Sequence, residues 1–168
     1  MFPVDLVRDA EVLVHRLIQR RLTIATAESC TGGLVAGLLT EIPGSSAAVE
    51  RGFVTYSNAA KAELLGVPAV TLDEHGAVSR ETALAMAAGA LQRAPVDIAV
   101  AVTGVAGPGG GTAMKPVGLV HLAVARQGQP VLHQECRFGD IGRTPIRIAT
   151  VREALALIRA ALDAPAPP

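Results

Sequence analysis

Residues 96–102, Val-Asp-Ile-Ala-Val-Ala-Val, constrain the fold more than any other stretch of the chain. The run is β-branched and almost wholly apolar, the pattern of a strand covered on both faces. A strand hidden on both sides needs helices above and below it, and helical patterns lie on either side in the sequence. Asp5 to Gln19 brings Leu6, Val7, Ala10, Val12, Leu13, Leu17 and Ile18 to one side, as an amphipathic helix does. Leu22 to Ala27 reads as a strand, and a helix follows from Gly32-Gly33 to Thr40. Ile42-Pro43-Gly44-Ser45-Ser46 breaks every regular pattern and reads as a loop. Val49 to Tyr56 is strand-like; Asn58 is expected to cap a helix that runs to Leu65 and stops at Gly66, with Pro68 beyond. Ser79 opens an Ala-rich helix to Arg93. Val117–Ala125 and Val131–Phe138 flank Gln127-Gly128-Gln129-Pro130 as a hairpin, and Thr144–Leu162 is the closing helix. The sum is a three-layer α/β/α single domain over residues 1–163, with a mixed central sheet, a late hairpin and a frayed tail at 164–168.

Composition narrows what such a domain can do. Its 168 residues suffice for a core without metal or disulfide staples. Half are apolar, yet there is no Trp, one Tyr and three Phe, so small side chains must pack in close layers. Fifteen basic and fifteen acidic residues cancel, which removes the electrostatic footprint of a general nucleic-acid or anionic-membrane binder. Cys30 and Cys136 form no metal-ligand pattern, and no signal segment or membrane-length span is evident. No metal or cofactor is expected, and the cytoplasm is the expected compartment.

Unusual chemistry concentrates in the loops, beside strand ends, where open α/β sheets hold ligands. In Ala27-Glu28-Ser29-Cys30-Thr31-Gly32-Gly33 a strand turns abruptly into a helix, presenting side chains and free helix amides to one small volume. Such a turn suits a nucleophile and an anion, and equally a helix cap relieved by glycine. The other loops are Gly44-Ser45-Ser46, the corner Thr55 to Lys61, Thr103 to Gly111, and Gly139-Asp140-Ile141-Gly142-Arg143. The Gly109-Gly110-Gly111 run lacks the Gly-Lys-Ser/Thr ending of a P-loop, which argues against triphosphate hydrolysis. His15 falls in a helix and His121 and His133 in strands, leaving His75 as the one loop histidine. Cys30 has no histidine beside it to lower its thiol pKa, so a small hydrophobe under the turn is its expected role.

Taken together these segments resemble the C-terminal domain family of CinA, the competence/damage-inducible proteins, whose stand-alone members are nicotinamide mononucleotide amidohydrolases. The resemblance covers nearly the whole chain. It rests on the Ala27–Gly33 heptapeptide, Pro43-Gly44-Ser45-Ser46, Arg51 to Asn58, Lys61, Gly76-Ala77-Val78-Ser79, Thr103-Gly104 with Ala106-Gly107-Pro108, and Lys115-Pro116-Val117-Gly118. One departure stands out: the family follows its Gly-Asp with Arg, whereas Ile141-Gly142 here precede Arg143.

The resemblance implies a Ser/Lys dyad that deamidates nicotinamide mononucleotide to nicotinic acid mononucleotide and ammonia, within the pyridine nucleotide cycle of NAD metabolism. By residue type alone Lys61 is a solvated surface cation; the resemblance makes it the base, its pKa lowered by burial and by a helix N-terminus. Ser29 is the expected nucleophile, with Ser46 as the second serine; the two can exchange roles. Tyr56 would orient Lys61 or face the pyridine ring, and Thr103 would turn its hydroxyl into the cleft. Thr31, Gly32, Gly33 and Gly104 complete the expected substrate contacts, while Gly109, Gly110 and Arg143, joined by Arg147, are expected at the phosphate. Two alternatives accompany this reading: a noncatalytic nucleotide-binding or partner-binding domain, and an amidohydrolase for another small amide. A homo-oligomer is expected.

Overall fold

Alternation along the central strands gives the sheet two unlike faces. Ile24, Ile98, Val100, Val102, Leu122 and Val124 project to one side, and Ala25, Ala27, Ala99, Ala101, Ala123 and Ala125 to the other, all of them buried. These residues belong to β1 (Ile24–Glu28), β3 (Ile98–Gly104) and β4 (Leu119–Arg126), which occupy the middle of a five-stranded sheet. The edges are β2 (Val49–Val54) and β5 (Leu132–Arg137), giving the order β2-β1-β3-β4-β5. β1 runs parallel to both β2 and β3, whereas β3, β4 and β5 pair antiparallel, so the sheet is mixed and ends in the expected hairpin.

Helices cover both faces. α1 (Val4–Gln19), α2 (Leu34–Thr40) and α6 (Arg143–Asp163) pack their buried Leu, Val and Ile on the large-residue face. On the alanine face lie α3 (Asn58–Leu65), α4 (Ala69–His75) and α5 (Arg80–Arg93), with Leu65, Ala83, Met86, Ala87 and Ala90 against the sheet alanines. Small side chains on both partners let α5 approach closely. The structure, a computed structural model, describes residues 2–164. Ala164 ends α6, and the remainder of the expected tail, 165–168, lies outside the described residues. Among the described residues no helix is long and apolar enough to cross a membrane.

Two local expectations change. Ser57, not Asn58, caps α3: its hydroxyl accepts the Ala60 N–H at 3.0 Å, and Asn58 is already helical. α4 was not expected, because it buries none of its residues and so carries no apolar stripe. The Ser79 cap of α5 is as expected, its hydroxyl accepting the Thr82 N–H at 3.1 Å.

The close packing of α5 continues into α3, where Gly89 leaves room for the last helical carbonyl. A Cβ built on Gly89 would stand 1.9 Å from the Leu65 carbonyl oxygen. That oxygen is backbone and cannot swing aside, so Gly89→Ala forces α3 off α5. We predict a loss of about 1–3 kcal/mol, the range for overpacking, and a melting temperature lower by several degrees. Circular dichroism melts of the two proteins check it.

Candidate functional site

The parallel part of the sheet brings three chain crossings to one end. Ser29 follows β1, Thr55 follows β2, and Thr103-Gly104 ends β3, so all three stand at the carboxyl ends of parallel strands. The chain leaves β1 through α2 on one face and reaches β3 through α5 on the other, opening the crevice where open α/β sheets bind ligands. Ladder-like bonds extend past the strand ends: Ser29 N–H donates to Val102 O at 3.0 Å and Thr55 N–H to Glu28 O at 2.8 Å. They fix the two corners side by side.

Lys61 reaches into this crevice from α3. It is 1% exposed, with Nζ 3.1 Å from Ser29 Oγ and donating to the Thr55 carbonyl at 2.9 Å. Burial is the main cause that holds its pKa below the ordinary lysine value, since water is withdrawn from the ammonium form. With one N–H on Thr55 O, a neutral amine can turn its lone pair toward the Ser29 hydroxyl. A cavity of about 280 Å³ opens over the pair. Tyr56, Thr103, Gly104, Gly109, Gly110 and Arg143 line it with Ser29 and Lys61, and among the described residues no carboxylate or histidine does.

Behind the serine, Glu28 is fully buried on the α2 side of the sheet. Its carboxylate accepts the N–H groups of Gly33 at 3.1 Å, Val35 at 3.0 Å and Ala36 at 2.9 Å. The expectation that the helix amides behind Ser29 would serve an oxyanion is therefore corrected: Glu28 occupies them. Gly32 N–H closes a turn onto Ser29 O at 3.0 Å, and Leu34 N–H bonds Thr31 O at 3.3 Å. Among the described residues, the N–H groups of Cys30 and Thr31 are the ones in this turn that donate to no carbonyl or carboxylate.

Several other expected contacts are rearranged. Ser46 is exposed in the 3-10 turn Ser45–Ala47 that precedes β2, and because β2 parallels β1 this turn lies at the opposite end of the sheet from Ser29. Thr31, fully buried, and Gly32 and Gly33 do not line the cavity; the two glycines, at φ +59° and +96°, shape the turn. The Thr103 hydroxyl donates to Ala77 O at 2.6 Å and so holds the cavity wall. Tyr56 does not orient Lys61, a task the Thr55 carbonyl performs; its Oη accepts from Arg143 at 2.9 Å. Arg143 also donates to Gly107 O at 2.8 Å, which leaves most of its fork open to the cavity mouth. Arg147 turns instead to the carbonyls of Cys30 and Thr31.

Residue-type reasoning missed the Thr55 carbonyl and the Ala77-Val78 wall, since backbone contacts carry no side-chain signal. Cys30 lines the cavity as a thiol: burial pushes its pKa up to about 12, with the Glu28 charge adding to the effect. Of the histidines, His121 and His133 bond one another at 3.1 Å, and His75 sits near Glu74 and Glu81.

A mixed-sheet α/β domain with a buried Ser-Lys pair in its crevice is the class that this fold and geometry define. Residues 8–162 match the model of the CinA C-terminal domain, and the chain belongs to that family. It is 50% identical over 137 residues to the nicotinamide-nucleotide amidohydrolase PncC of Escherichia coli K12, covering 81% of this chain and 83% of that protein. The competence/damage-inducible protein CihA of Agrobacterium tumefaciens superposes with a TM-score of 0.96 at 58% identity, covering 97% of this chain and 99% of that one. Other relatives are longer: the chain is 50% identical to a putative competence-damage inducible protein of Caldicellulosiruptor bescii over 89% of its own length but only 36% of that protein. It spans about a third of the length of such relatives.

Glu28→Gln tests whether the serine turn depends on the buried carboxylate. The amide NH2 would face N–H groups that now donate to a carboxylate oxygen, leaving buried donors unpaired. We expect a stability loss of about 1–3 kcal/mol, measured by urea denaturation.

Proposed function

We propose that the domain is an amidohydrolase that removes ammonia from nicotinamide mononucleotide, using Ser29 as nucleophile and Lys61 as its base. The observation that carries the reading is the buried Lys61 amine, 3.1 Å from Ser29 Oγ and anchored on Thr55 O. A lysine loses its ordinary hydration shell there only at a cost, and a neutral amine is what a serine needs in place of histidine. The kinship with a nicotinamide-nucleotide amidohydrolase over most of both chains supports the substrate class.

The steps balance without any other group. Neutral Lys61 takes the Ser29 proton as Oγ attacks the carboxamide carbon, and the new oxyanion turns to the free N–H of Cys30, which lines the cavity beside Ser29. Collapse breaks the C–N bond, and Lys61 returns its proton to the leaving amine, which departs as ammonia. Water then attacks the ester with one proton going to Lys61, Ser29 recovers that proton as the C–O bond breaks, and the product leaves as the carboxylic acid, which gives its own proton to solvent to become the carboxylate. At the other end Arg143, in a cavity that no carboxylate of the described residues lines, suits a phosphate, and the Gly109-Gly110 backbone can approach it closely. Tyr56 supports the arginine fork.

Three variants test the assignment by ammonia release. Ser29→Ala abolishes turnover with little change in substrate affinity, and Cys30→Ala stays within the same order of magnitude as the parent, because a thiol titrating at about 12 supplies no thiolate at neutral pH. Lys61→Arg keeps the charge but cannot give up its proton, so kcat falls by about a thousandfold or more. In the parent the rate rises with pH as Lys61 deprotonates, and the midpoint lies below the ordinary lysine value because its folded-state pKa is lowered. A Lys61→Arg protein with the parent's rate and pH profile would make Lys61 a binding cation and require another base.

A further inference from the structure

The two carbonyls that Arg147 holds belong to the turn that carries the nucleophile. Arg147 Nε–H donates to Cys30 O at 3.2 Å and Nη2–H to Thr31 O at 2.7 Å. The guanidinium is half-buried on α6, one helical turn beyond Arg143, and it does not line the cavity. Space for it comes from Gly32: a Cβ there would stand 3.3 Å from Nη2. The Ser29 to Gly32 segment is a β-turn closed by the Gly32 N–H bond to Ser29 O at 3.0 Å. Its middle peptide joins Cys30 C=O to Thr31 N–H. In β-turns that unit is the one whose reversal interconverts types I and II.

A trans peptide points its N–H opposite to its C=O. Gripping Cys30 O therefore fixes the direction of the middle peptide, and gripping Thr31 O steadies the next one. We propose that Arg147 is a positioning residue for acylation: its fork locks the middle peptide of the serine turn and so holds Ser29 and Cys30, the residues of that turn on the cavity wall, in register for the attack. It is not a phosphate ligand. This inference rests on the reading of Ser29 as nucleophile. Thr31, β-branched and at negative φ, already disfavours the reversed turn, and Arg147 adds a second restraint on the same peptide. Without the fork, the middle peptide can reverse for part of the time, which takes Ser29 and Cys30 out of that register.

The test compares the wild type with Arg147→Ala and Arg147→Lys. kcat and KM are measured on nicotinamide mononucleotide and on its phosphate-free riboside, and the rate of Ser29 labelling by a fluorophosphonate is followed by mass spectrometry. That reagent also develops its P–O charge where the oxyanion forms. Arg147→Ala is expected to lower kcat by roughly ten- to a hundredfold, short of or reaching the loss of a whole oxyanion donor. KM for either substrate stays within about threefold, labelling slows in parallel with kcat, and added methylguanidinium restores part of both. Arg147→Lys keeps the charge and one bond, so it folds if the alanine variant does not, and it shows a smaller loss of the same kind. A rise in KM confined to the phosphorylated substrate, or variants that label and turn over like the wild type, overturns the role of Arg147 alone. A wild type that neither releases ammonia nor labels at Ser29 overturns the reading of the site and this role with it.

Discussion

The alanine face of the sheet sets the distance on which the site depends. Ala25, Ala27, Ala99, Ala101, Ala123 and Ala125 present little more than backbone to α5, which answers with Ala83, Ala87 and Ala90. A helix held that close carries α3 with it through Gly89, whose missing side chain accepts the Leu65 carbonyl. Lys61 rides on α3 and is buried in the same layer, 1% exposed. The amine therefore arrives at Ser29 already stripped of water. Packing, not an added charge, produces its perturbed state.

On the opposite face a charge is needed, and Glu28 supplies it. A strand ending in Glu and a helix starting six residues later would leave the first α2 amides unpaired inside the core. The Glu28 carboxylate takes three of them and so welds β1 to α2 across the serine turn. This removes the helix N-terminus from catalysis, an outcome opposite to the role that such termini often take with anions. Only the amides inside the turn itself remain free, and Arg147 holds that turn from the third side. Ser29 thus sits in a loop restrained by a strand, a helix cap and an arginine fork.

The layers, the late hairpin and the limits marked by Ser79 and Gly66 were legible because they follow from apolar period and from caps, whereas α4, which buries none of its residues, left no such signal. The approach of Ser29 and Lys61 was legible only through the family resemblance, since Lys61 by type reads as a surface cation. Ser46 shows what pattern reading lacks. Strands were expected at Leu22–Ala27 and Val49–Tyr56, but their relative direction was not, and it is the parallel pairing that sends the residue before β2 to the far end of the sheet. Thr103, Tyr56 and Arg147 illustrate a second gap. Each was chosen for a side chain able to touch substrate, and each has a protein partner, Ala77 O, Arg143 or the Cys30 and Thr31 carbonyls, that tertiary packing alone brings within reach.

One cause, the loss of water, also separates the proposed nucleophile Ser29 from Cys30, which stands next to it in the chain. Desolvation disfavours whichever form carries charge. For Lys61 it favours the neutral amine; for Cys30 it favours the thiol, which the Glu28 charge behind the turn stabilises further. A thiolate at Cys30 would draw Lys61 back toward its ammonium form, but with the thiol pKa at about 12 that attraction is absent near neutrality. The two groups that remain stand 3.1 Å apart, a hydroxyl and an amine whose charged form burial disfavours. In that state the proton can move from oxygen to nitrogen only as the oxygen bonds to carbon, when the developing charges offset each other across the short contact. A cysteine mechanism would instead need a charge separated in advance, which this dry turn opposes.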